Sequence, residues 1–105
     1  MEYVLQRMPT TPGEILDEEF LKPLKITQKQ LADHIKCDVK VINRIINGRC
    51  ALTAEIAIKL EATFGMSAEF WLNTQLGVDI YLANKKLGKN IPKRLVKPQR
   101  LKKAV

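Results

Sequence analysis

No stretch of this chain stays apolar for the ~18 residues that a membrane span requires, and no signal-type apolar segment follows Met1. A soluble, cytoplasmic protein is therefore expected. Strands are also missing from the pattern: apolar residues recur at helical spacing, and no convincing alternation appears. There is no internal repeat, no nucleophile elbow, no phosphate-cradling glycine loop and no pair of carboxylates with a base. Glu18 and Glu19 are adjacent on a predicted helix, so they point apart. These absences argue against an enzyme, and no cofactor is expected.

Cysteine is scarce too. Cys37 and Cys50 are the only two, too few for a disulfide framework. They bracket a predicted helix ~12 Å long, beyond the ~7 Å Cα separation that a bridge tolerates. His34, Cys37, Asp38 and Cys50 match no zinc spacing, and Cys37 and Asp38 have duties in a turn and a cap. No metal is expected, and His34 reads as a surface residue.

Acid is absent from one end of the chain. The net charge is +7, but Met1 to Asn84 holds nine Lys/Arg against eleven Asp/Glu, a balance of −2. Lys85 to Val105 holds nine Lys/Arg and no acid. The globular part is mildly acidic, so the high charge by itself says little about its partner. With 105 residues, one domain is the default. The organisation expected is an N-terminal arm over 1–10, a domain over 11–84 and a basic tail over 85–105.

Within the domain, helix starts are unusually legible. Thr11-Pro12-Gly13-Glu14 combines a cap, a first-position proline and a capping-box glutamate; Ile15, Leu16 and Phe20 follow, and Pro23 should end that helix. Thr27 to Gln30 repeats the box, with Leu31, Ala32 and Ile35 behind it. Asp38 caps a third helix over Val39 to Ile46, and Asn47-Gly48 stops it. Thr53 and Gly65 bound a fourth helix, and Ser67 opens a fifth. The fifth carries two apolar stripes, Leu72-Leu76-Ile80 and Trp71-Val78-Leu82. One surface stripe suffices for a monomer, so the spare stripe is the expected dimer seam, with Leu72, Leu76, Val78, Ile80 and Leu82 as candidates. Trp71 and Phe70 fit best in the monomer core.

The fold expected is all-α, with five helices and a helix-turn-helix between Thr27 and Arg49. Small Ala32 suits the close crossing, Cys37 fills the turn, and Ile42 and Ile45 face the core. Lys36 stands where the turn favours glycine, at a cost of ~1 kcal/mol. In this motif the second helix lies in the major groove of double-stranded DNA. Thr27 and Gln28, at a helix N-terminus, are candidates for a phosphate. Val39, Lys40, Asn43 and Arg44 are left exposed once the core is filled. Arg suits guanine, Asn suits adenine and Val a thymine methyl; Asn43 fits local backbone contacts equally well. Val41 reads as packing, and Arg49 as a phosphate contact.

Pro12-Gly13-Glu14-Ile15-Leu16, the Thr27–Ile46 unit with Asn47-Gly48-Arg49, and Phe70-Trp71-Leu72-Asn73 together resemble HigA-type antitoxins of the Xre/phage-repressor superfamily, a group also called virulence-associated protein I. The resemblance spans about Pro9 to Ala83. It implies a five-helix DNA-binding domain, a homodimer on a palindromic operator, repression of its own operon, and a cognate toxin that is a RelE-like (HigB-like) mRNA endonuclease. It also matches Gln28 to the superfamily's phosphate-binding glutamine. Two alternatives stay open: a stand-alone Xre-family repressor without a toxin, and a protein-interaction module that binds DNA weakly. The tail reads as a solvated appendage, an arm on the DNA backbone or a clamp on an acidic partner.

Overall fold

The computed structural model describes residues 8–96. The arm before Met8 and the tail beyond Val96 lie outside the described residues. Among the described residues there are five helices and no strand.

The first helix, α1, is a continuous rod of three segments: Pro12–Ile15, a π-helical stretch Leu16–Leu21, and Lys22–Leu24. Its capping box is complete, with the Glu14 N–H donating to Thr11 Oγ1 at 3.1 Å and the Thr11 N–H donating to Glu14 Oε1 at 3.0 Å. Pro23 does not end the helix as expected. The wide π register carries the Lys22 N–H to the Asp17 carbonyl and resets the helix. Pro23 thereby becomes a first-turn residue, where a missing N–H costs nothing. Lys25 closes the rod in the left-handed conformation, at φ 58°.

Helix α2 (Gln28–Ile35) and helix α3 (Val39–Ile46) form the helix-turn-helix. Thr27 and Gln30 make the second capping box, and the Asp38 side chain accepts from the Lys40 N–H at 2.8 Å. Between them Lys36 goes left-handed, at φ 59°, as the turn demands. The Cys37 N–H then reaches back to the Ala32 carbonyl at 2.9 Å. At the far end of α3, Asn47 stays at φ −87° and only Gly48 turns left-handed, at φ 71°.

Helix α4 (Ala54–Phe64) starts on Thr53 and ends on Gly65. Helix α5 (Ala68–Leu87) starts on Ser67, and Glu61 of α4 also accepts from its Ala68 N–H at 3.1 Å. It crosses the boundary expected at Asn84 and runs three residues further, followed by a 3-10 turn over Gly88–Asn90. Lysine is a good helix former, and Lys85 and Lys86 in the last turn meet the negative end of the helix dipole.

The core gathers Leu16, Leu21, Leu31, Ala32, Ile35, Ile42, Ile45, Leu52, Ile56, Ala57, Leu60 and Trp71. Phe20 and Phe70 flank the Trp71 indole at ring-centroid distances of 5.6 and 5.4 Å, and Phe64 stacks on Phe20 at 4.8 Å. Both aromatics assigned to the monomer core thus contribute to it, Phe70 from its margin.

Candidate nucleic-acid interface

Helix α3 is gripped on one side by the core, through Ile42 and Ile45, and from its end by α1. A β-carbon on Gly13 would lie 2.7 Å from the Ile46 Cα and closer still to the Ile45 carbonyl oxygen. The first turn of α1 therefore rests directly on the backbone of α3, and only glycine fits at the contact. The sequence marked the Pro-Gly-Glu start as a cap and assigned Gly13 no role. Its signal was present: a glycine inside a helix costs up to ~1 kcal/mol relative to alanine and needs a packing reason.

The opposite side of α3 is open. Gln28, Val39, Lys40, Asn43, Arg44 and Arg49 line a single shallow concavity of about 560 Å³. Six of the seven residues expected to meet DNA therefore converge, from the start of α2, the whole length of α3 and the turn after it. The seventh, Thr27, is not part of that lining; its hydroxyl accepts the Gln30 N–H as the α2 cap. Lys40, Arg44 and Arg49 pair with no acid among the described residues. The concavity thus presents three cations and two amides beside the half-buried Val39, a donor-rich surface suited to an anionic ligand.

Two further contacts were not legible in the sequence. Gln28 and Asn43 are linked, with Asn43 Nδ2 donating to Gln28 Oε1 at 3.1 Å, and Asn47 donates to Asn43 in turn. Behind the concavity, Gln75 of α5 accepts from the Leu52 N–H at 2.9 Å and donates to Asp79 at 2.9 Å. That bond pins the loop carrying Arg49 to α5. No spacing rule pairs residues 23 positions apart.

The fifth-helix stripes are resolved by packing. Trp71 and Val78 are buried within the chain, so Val78 is unavailable to a seam as the chain stands. Leu82 lies on that same side of the helix but beyond the core, and is exposed. On the other side Leu72 is half-buried, whereas Leu76 and Ile80 are each about half exposed, and Leu87 continues their line. No helix among the described residues is long and apolar enough to cross a membrane.

Two short helices joined by a left-handed turn, the second offering a cationic open face, define a helix-turn-helix protein. The helix-turn-helix family model matches residues 18–71. Antitoxin HigA-1 of Vibrio cholerae is 45% identical over 76 residues, which cover 72% of this chain and 71% of that protein. Antitoxin HigA of Pseudomonas aeruginosa, solved with the higBA promoter, superimposes with a TM-score of 0.79 at 34% identity, covering 84% of this chain and 99% of that one. Antitoxin GraA, solved in complex with its operator, gives 0.82 at 31% identity, covering 91% and 98%. The chain belongs to the HigA-type antitoxins of the Xre helix-turn-helix superfamily.

Proposed function

We propose that the chain binds a palindromic operator as a homodimer, represses its own operon and neutralises a RelE/HigB-like mRNA endonuclease toxin. The observation that carries the DNA-binding part is the single concavity shared by Gln28, Val39, Lys40, Asn43, Arg44 and Arg49. Gln28 and Arg49, at its two ends, contact phosphates and set the register of α3 in the major groove. Lys40 and Arg44, one helical turn apart on α3, read guanine edges, and Val39 meets a thymine methyl. HigA and GraA, solved with promoter and operator DNA respectively, support the reading that the chain binds DNA. The exposed line Leu76, Ile80 and Leu87 supplies the seam that places two reading helices ~34 Å apart on DNA. The toxin rests on membership of the antitoxin family.

Footprinting on the chain's own promoter, with co-purification of the product of the neighbouring toxin-like reading frame, tests the proposal. A symmetric footprint is expected, and Arg44→Ala should weaken it by ~1–3 kcal/mol while relaxing preference at one base pair. Unchanged operator binding by Arg44→Ala refutes base reading by α3. A footprint without toxin capture makes the protein a stand-alone repressor. Leu76→Glu with Ile80→Glu should give a folded monomer, because neither side chain is needed by the core; an intact dimer moves the seam elsewhere.

A further inference from the structure

We infer that Asn47 and Asn43 form an amide relay that sets the polarity of Gln28, making Asn43 a positioning residue rather than a base reader. The inference rests on the DNA-binding reading above. It begins at a group whose role is fixed. The Asn43 backbone carbonyl only accepts, and the Asn47 side chain lies 3.0 Å from it, so the Asn47 atom at that place is Nδ2. The same Nδ2 is 3.2 Å from the Asn43 side chain, and that partner atom must therefore be the acceptor Oδ1. Asn43 Nδ2 is thereby turned to Gln28, where it meets Oε1 at 3.1 Å. Any amide reversed along this chain sets oxygen against oxygen or nitrogen against nitrogen.

The outcome lies at the end of the relay. Gln28 has its oxygen held inward, and its Nε2, with two N–H groups, is left for the open concavity. A phosphate oxygen has only acceptors to offer, so an uncommitted glutamine would present the wrong end half of the time. The relay removes that choice before DNA arrives, and it uses a side chain of α3 to fix a phosphate donor on α2. Asn43 has its Oδ1 and one N–H occupied in doing so. The bidentate pairing with adenine, which needs the oxygen and an N–H together, is closed to it.

The test is competition binding of the full-length chain against its operator and every single-base-pair variant of it. It compares the wild type with Asn43→Asp, Asn43→Ala, Gln28→Ala and the double alanine variant. Asn43→Asp keeps the size but cannot donate, so Gln28 reverses and offers its oxygen to the phosphate. A loss of about tenfold or more is expected, uniform across all variants. The double variant should bind no more weakly than Gln28→Ala alone, because both changes remove one contact. Loss of preference at one base pair on mutating Asn43, or additive losses in the double variant, overturns the relay. A wild type that binds no operator refutes the DNA-binding reading instead, and the relay is then read in the free protein. There Asn43→Asp should move the Gln28 side-chain amide resonances while α2 backbone resonances hold, and unmoved Gln28 resonances overturn it.

Discussion

The contact between Gly13 and α3 yields the sharpest stability prediction. Replacing Gly13 with alanine adds one methyl group, which elsewhere in a helix stabilises by up to ~1 kcal/mol. Here the new carbon would stand 2.7 Å from the Ile46 Cα, against the ~3.5–4.0 Å at which carbon atoms rest in contact. The Ile45 carbonyl carbon and oxygen crowd it too, and all three atoms belong to the backbone of α3, so no rotamer relieves the clash. The helices must part by about 1 Å, a shift that Leu16, Ile42 and Ile45, all nearly inaccessible, would register as lost packing. Overpacking of this kind costs ~1–3 kcal/mol and sometimes more. Gly13→Ala should therefore lose ~2 kcal/mol, or roughly 8–16 °C in Tm for a domain of this size. Gly77 is the control: a β-carbon there meets nothing within 4 Å, so Gly77→Ala should gain ~0.5–1 kcal/mol from reduced unfolded-chain freedom. Urea unfolding of both variants, read by circular dichroism with unchanged slope, gives the two values. A Gly13→Ala midpoint at or above that of the wild type refutes the close approach, and with it the claim that α1 sets the position of α3.

Three further outcomes can be checked by similar means. Gln75→Ala leaves the Leu52 N–H without its acceptor and should cost ~1–3 kcal/mol in chemical denaturation, whereas Asp79→Ala removes only the exposed Gln75–Asp79 bond and should cost less; equal losses would deny the Leu52 bond a role. Lys36→Gly relieves a left-handed lysine and should raise stability by ~1 kcal/mol, with no change or a loss counting against strain at that turn. In thiol labelling at neutral pH, exposed Cys50 should react before Cys37. Burial pushes the Cys37 thiol up, against a smaller opposing pull from Lys59, so less of it is thiolate and its lag should shorten as the pH rises. Simultaneous labelling at every pH would contradict that picture.

Much of the fold was written locally. Thr11, Thr27, Asp38, Thr53 and Ser67 each accept a backbone N–H at the predicted start of a helix, because a cap depends on residues two or three positions away and nothing more distant. Ala32, Ile42 and Ile45 are buried as their spacing implied. Local rules failed where another part of the chain had a say. Pro23 reads as a stop, yet a π turn several residues earlier makes it a first-turn residue. Lys85 reads as the start of a tail, yet α5 projects past the core, where lysine suits a solvated helix.

By itself, then, the sequence determined a five-helix domain with its turn at Lys36 and a short set of residues left over for a ligand. Periodicity and capping act within a few residues, so they survive without knowledge of the partner elements. Tertiary structure alone decided which stripe of α5 was used up, since Trp71 and Val78 could face a core only once α1 and α4 stood beside them. It also decided that Gly13 holds α3 in place, and that Gln28, Asn43 and Asn47 act together. Such contacts join residues far apart in the chain, and their direction is fixed by geometry that no spacing encodes.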